Sequence, residues 1–135
     1  MKLRLRGDSI RLRLTRSEVR ALEQTGAVEE KTRLAPGTEL RYRLLACREA
    51  RAIEAGFEDR TLTVRIPWEQ AMAWSASSSV SLKATQGLEP GAELGLLIEK
   101  DFFCLKPREH VHEDESDMFP NPNAAHGRCG GERLQ

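Results

Sequence analysis

The same pattern of alternation, helix signals and turns occurs twice along this 135-residue chain, at a nearly constant spacing. In the first copy Leu3 and Leu5 alternate with Lys2, Arg4 and Arg6, and Ile10, Leu12 and Leu14 alternate with Arg11 and Arg13. Alternation with period two marks half-buried strands. Gly7-Asp8 between them predicts a two-residue hairpin turn, glycine first. That register sets Leu5 opposite Ile10 and Leu3 opposite Leu12, which keeps one face apolar. Thr15 and Glu18 have capping-box spacing ahead of a short helix with Val19 and Leu22 inside and Gly26 closing it. A strand over residues 28–34, a Pro36-Gly37 turn and a strand with Leu40, Tyr42 and Leu44 complete the copy.

The second copy follows the same order. Ile53, Ala55 and Phe57 face Leu62, Val64 and Ile66; Pro67 opens a helix over residues 68–74; Val80, Leu82 and Ala84 start a strand. Leu88-Glu89-Pro90-Gly91-Ala92-Glu93-Leu94 repeats Leu34-Ala35-Pro36-Gly37-Thr38-Glu39-Leu40 at five of seven positions, before a strand over about residues 93–105. Ile10 falls on Leu62 and Val28 on Val80, both 52 residues on, and Pro36 falls on Pro90 at 54. The expected fold is mainly β with two short helices (α+β): a duplicated ββαββ unit. Its eight or so antiparallel strands would close into a barrel or form two packed sheets, because one unit alone leaves an apolar sheet face in water. The β domain is expected to occupy residues 1–105, in halves of about 1–46 and 51–105. Residues 106–135 are expected to form an acidic tail rich in proline and glycine.

The chosen register also sets Arg4 opposite Arg11 and Lys2 opposite Arg13, and like charges directly across a strand pair destabilise it. Three things can answer these cations. One is water and salt; another is the tail acids Glu109, Glu113, Asp114, Glu115 and Asp117; the third is a bound anion, which guanidinium groups suit. The candidate anion-binding set is therefore Lys2, Arg4, Arg11 and Arg13, extended by Arg41 and Arg43 if their strand lies alongside. A nucleic-acid partner is disfavoured. Lysine plus arginine equals aspartate plus glutamate at 21 each, and the hairpin has no aromatics for stacking.

Five zinc-type donors cluster toward the end: Cys104, His110, His112, His126 and Cys129. Only His126-x2-Cys129 has a familiar short spacing, so a tail-bound zinc stands as an alternative beside a solvated tail. No nucleophile-elbow, zincin or phosphate-loop pattern occurs. Glu99 and Asp101 share one strand face, as carboxylates holding a cation would, or as neighbours of arginines. A binding domain for a protein or a small anion is thus favoured over an enzyme, with no resident cofactor beyond the zinc alternative. No apolar run is long enough to span a bilayer, and the opening residues alternate charge with leucine, unlike a signal peptide. A cytoplasmic protein with its three cysteines as thiols is expected.

Arg4-Leu5-Arg6-Gly7-Asp8-Ser9-Ile10-Arg11-Leu12, Ile98-Glu99-Lys100-Asp101-Phe102-Phe103-Cys104-Leu105 and Glu113-Asp114-Glu115-Ser116-Asp117 with Phe119-Pro120-Asn121-Pro122 carry a resemblance. With these segments the chain resembles a family of short uncharacterised bacterial proteins, a domain of unknown function. The resemblance implies no activity. More distantly, the strand count and the arginines, lysines and acids resemble the tunnel-barrel triphosphate hydrolases, which implies a metal-dependent, phosphate-handling alternative. In it Arg4, Arg11, Arg13 and Arg43 would grip substrate. That family's first strand carries Glu-x-Glu-x-Lys, whereas Lys2-Leu3-Arg4-Leu5-Arg6 has no glutamate, so no catalytic residue is carried over.

Overall fold

The computed structural model describes residues 1–102 and 119–120, and residues Met1–Asp101 form one compact unit. The elements run β1 (Lys2–Leu5), β2 (Ser9–Leu14), α1 (Arg16–Thr25), β3 (Ala27–Ala35), β4 (Thr38–Cys47), β5 (Glu54–Glu58), β6 (Thr61–Pro67), α2 (Trp68–Ala76), β7 (Ser81–Glu89) and β8 (Ala92–Lys100). The order β-β-α-β-β therefore occurs twice.

Local signals act where the alternation and capping rules place them. Lys2 pairs with Arg13, Leu3 with Leu12, Arg4 with Arg11 and Leu5 with Ile10, around Gly7 at φ 53°. Phe57 pairs with Leu62 in the equivalent hairpin, turned by Asp59 and Arg60 at positive φ. Thr15 and Glu18 close a reciprocal capping box on α1, and Val19 and Leu22 are buried. Gly26 ends that helix in the left-handed conformation, where its N–H donates to the Leu22 carbonyl; a Cβ there would stand 3.1 Å from the Trp68 ring. Pro67 is the last residue of β6 and the N-cap of α2, without a side-chain cap. At the other end of α2, Lys100 Nζ donates to the Trp74 and Ser77 carbonyls.

The strands form two four-stranded sheets, β1-β2-β8-β7 and β3-β4-β6-β5. Three points differ from the sequence expectation. The pairing is not antiparallel throughout: β2 runs parallel to β8, and β4 parallel to β6, at the centre of each sheet. Nor does each half form its own sheet. Each sheet takes one hairpin from each half, because α1 carries the chain from the first sheet to the second and α2 carries it back. Neither half can complete a sheet alone. The final strand also stops at Lys100, short of residue 105.

One apolar cluster joins both sheets and both helices. Ile10, Leu12, Leu14, Leu96 and Ile98 come from one sheet, Val28, Leu44, Leu62, Val64 and Ile66 from the other, and Val19, Leu22, Ala71 and Trp74 from the helices. The sheets do not close into a hydrogen-bonded barrel; side chains stitch the two flanks instead. Gln86 on β7 donates to the Ala55 carbonyl and accepts from the Ala55 N–H of β5. On the opposite flank the Met1 amino group sits between Glu18 and Glu30, and Tyr42 donates to the Met1 carbonyl. Glu30 lies on the core-facing side of β3, and its inward charge is matched by that ammonium. Burial opposes charge on the amine, but the bonds from Glu18 and Glu30 outweigh it and raise its pKa; the Glu18 carboxyl is likewise held below its usual range despite burial. Among the described residues no helix is long and apolar enough to cross a membrane.

Candidate functional site

Alternation places the charged residues of the inner strands on the face turned away from the core, except Lys100 at the end of β8, which shares the face of Leu96 and Ile98 and caps α2. In the first sheet that face carries Lys2, Arg4, Arg11 and Arg13, as the sequence suggests, and Lys2, Arg11 and Arg13 are answered by Glu99 of β8 and by Asp101 just beyond it. Glu99 Oε1 accepts from Arg11 Nε at 2.8 Å and Nη2 at 2.6 Å, and from Arg13 Nε at 3.1 Å and Nη2 at 3.0 Å. Asp101 takes Lys2 at 3.2 Å and reaches Arg13 at 3.9 Å. Arg4 and Arg6 are engaged as well. Glu99 and Asp101 thus act as partners of this cationic row. Ile10, Leu12 and Leu14 fill the interior opposite these arginines. The interior channel of charged groups that a tunnel-type hydrolase needs is therefore not what these strands enclose.

Arg41 and Arg43 do not extend that row. Their strand, β4, lies in the other sheet. There the register sets three rows across the outer face: Lys31-Arg41-Thr61-Glu58, Glu29-Arg43-Thr63-Gly56, and Ala27-Leu45-Arg65-Glu54. Arg41 pairs with Glu29 at 3.1 Å and Glu39 at 3.3 Å. Arg43 instead leans across the middle row, and its Nε donates to Thr63 Oγ1 at 2.9 Å. Arg65 leans the same way. Its Nη1 lies 3.9 Å from where a side chain at Gly56 would begin, so the missing side chain gives that guanidinium room. Neither Arg43 nor Arg65 has an ion-pair partner among the described residues, although Glu29 and Glu54 stand opposite them in register.

These two guanidinium groups border a groove of about 590 Å³ over β3 to β6. Arg41, Arg43, Arg65, Thr61 and Thr63 line it together with Glu29, Glu58 and Asp59. Thr63 is the one buried polar residue among those described, at 5% exposure. Its hydroxyl accepts from Arg43 and keeps its own O–H to donate. The arrangement places two planar guanidinium groups, one on Thr63 and one beside its row partner Gly56, in a groove that acids also line. No group of three or more metal-type ligands occurs among the described residues. Cys104, His110, His112, His126 and Cys129 all lie outside the described residues.

Sequence reading therefore named Arg43 and missed Arg65, Thr63 and Gly56. The signal was present: Thr63 and Arg65 alternate with Leu62, Val64 and Ile66, and a glycine interrupts the facing strand. Choosing them required knowing that β4 and β6 are neighbours, which no local pattern states. Neither a curated protein nor a solved structure matches the chain. A family model does match, over residues 1–123, and the chain belongs to that family of unknown function, DUF7009.

Proposed function

We propose that this protein is a binding domain for a small ligand with a compact anionic head, a phosphate or carboxylate, received in the groove on the outer face of the β3-β4-β6-β5 sheet. The observation that carries the reading is that Arg43 rests on Thr63 and Arg65 lies beside Gly56, paired residues of one row, with neither guanidinium ion-paired to a described residue. Guanidinium groups recognise such heads through paired, charge-assisted hydrogen bonds. Glu29, Glu58 and Asp59, which also line the groove, repel a long polyanion, so nucleic acid is a poor fit. The hairpin row of Lys2, Arg4, Arg11 and Arg13 is the weaker anion candidate, because Glu99 and Asp101 already answer much of its charge. The repeated element order and the repeated Leu-x-Pro-Gly-x-Glu-Leu turn support descent of both halves from one duplicated unit. The half-buried free thiol of Cys47 suits a reducing, cytoplasmic setting.

Titration calorimetry with inorganic phosphate and with acetate tests the site. Arg43→Gln and Arg65→Gln should each weaken binding about 10-fold or more, the loss expected when a hydrogen bond to a charged group is removed. Arg20→Gln, an exposed charge on α1, should leave it unchanged. Equal effects from all three variants, or no saturable binding of either anion, would overturn the proposal.

A further inference from the structure

We propose that the ligand of the β3-β4-β6-β5 groove is a zwitterion, a carboxylate or phosphate joined by a short chain to an ammonium group. This rests on the groove being the ligand site and names what the site takes. Arg41, Arg43 and Arg65 line the groove against Glu29, Glu58 and Asp59, so its side chains carry no net charge. Arg41 and Glu29 neutralise each other at 3.1 Å. What remains is Arg43 and Arg65 on one side and Glu58 and Asp59 on the other. A lining suited to a bare anion would be cationic throughout, whereas this one has two poles.

Opposite charges on one sheet face tend to collapse onto each other, and in the first sheet they do, where Glu99 holds Arg11 and Arg13. The second sheet keeps them apart. The parallel-strand partner of Arg13 is Glu99, but that of Arg65 is Leu45. Glu54 faces Arg65 from β5, yet it lies outside the groove and does not pair with it. Arg43 is taken up by Thr63, and Arg65 by the space beside Gly56. Glu58 sits one row on, opposite Thr61, and Asp59 begins the turn at φ 53°. None of Arg43, Arg65, Glu58 and Asp59 has an ion pair among the described residues. Arg60, the other turn residue, borders the smaller hollow beside this groove and not the groove itself.

Neighbouring rows on one face are two residues apart along a strand, roughly 7 Å. Arg43 and Arg65 rest on the row of Thr63 and Gly56, and Glu58 belongs to the next. A small ligand with its charges a few bonds apart spans that step. Its anionic head meets the guanidinium forks, and its ammonium meets the carboxylates. An anion without the amine leaves the carboxylates unanswered and is repelled by them. An amine without the anionic head is repelled by the arginines. The two poles together fix the direction in which the ligand lies.

Titration calorimetry of the full chain in low salt tests this by comparing γ-aminobutyrate with butyrate, and phosphoethanolamine with ethyl phosphate. Each pair shares its head and chain and differs only in the amine. In at least one pair the amine should tighten binding about 5-fold, the upper end for an exposed ion pair, and that pair identifies the head. Glu58→Gln with Asp59→Asn should erase the gain without weakening the amine-free member; asparagine tolerates the left-handed φ at position 59. Arg43→Gln should weaken both members of the pair together. Amine-free members that bind the wild type as tightly as their partners would overturn the zwitterion and leave the groove as a plain anion site. A gain that survives in the acid variant overturns it too, as does an acid variant that weakens both members alike. No binding by any of the four compounds removes the groove and the zwitterion together. If the double variant does not fold, Glu58→Gln alone decides, and an undiminished gain refutes the assignment.

Discussion

Replacing Glu99 with glutamine should unbalance the first sheet more than an ordinary surface substitution would. One carboxylate oxygen holds two guanidinium groups, and all three side chains are largely covered: Glu99 is 13% exposed, Arg11 28% and Arg13 23%. Exposed ion pairs contribute up to about 1 kcal/mol, and removing one partner of a fully buried pair costs about 3–5 kcal/mol. This cluster lies between those limits, so about 2 kcal/mol is expected. The loss includes repulsion released across β1 and β2, where Arg4 faces Arg11 and Lys2 faces Arg13. For a unit of this size it corresponds to a fall of roughly 10 °C in Tm. Urea unfolding of wild type and Glu99→Gln at low and high salt measures it. Salt should narrow the gap, because it screens the uncompensated row. A loss under about 0.5 kcal/mol, unaffected by salt, would mean that water suffices for these cations and the β8 acids are incidental.

Stability should also depend on pH at both limits through the amino-terminal clasp. The Met1 amine is raised above its usual 8.0, so its contribution is complete below pH 8.0 and disappears as pH rises through the folded value. Glu18 is lowered from 4.5, so its contribution is complete above that pH and disappears as pH falls through the folded value. Glu18→Gln keeps a capping-box residue and should flatten both limbs; an unchanged pH profile by thermal melting would refute the clasp. Gly26→Ala should cost about 1–2 kcal/mol, because it combines a left-handed φ with a 3.1 Å approach to Trp68, and a neutral chemical melt would contradict that. Gln86→Leu should cost about 1–3 kcal/mol by leaving both Ala55 backbone groups without their partner, and amide exchange at Ala55 should speed up. Unchanged exchange there would show that the flank is held by packing alone.

What was legible in the sequence was local. The Gly7-Asp8 turn, the Thr15–Glu18 box and the Leu5–Ile10 and Phe57–Leu62 registers each follow from residues a few positions apart, where backbone sterics and alternation decide the outcome. The partner of each hairpin was not legible. Leu12 and Leu62 show that a face is buried, but an apolar face does not specify which other face covers it. The parallel centres β2–β8 and β4–β6 arise from long-range pairing that leaves no period of its own. The site was missed for the same reason. Arg43 was visible as a cation on a strand, while its companionship with Arg65, Thr63 and Gly56 exists only across strands from different halves.

The most direct test of the groove is a nitrogen-15 NMR titration of arginine side-chain Nε–H signals with inorganic phosphate. Saturable shifts at Arg43 and Arg65, with Arg11 and Arg13 still, are the predicted result. Shifts at Arg11 and Arg13 with Arg43 and Arg65 unmoved would place any anion on the other sheet and contradict the account.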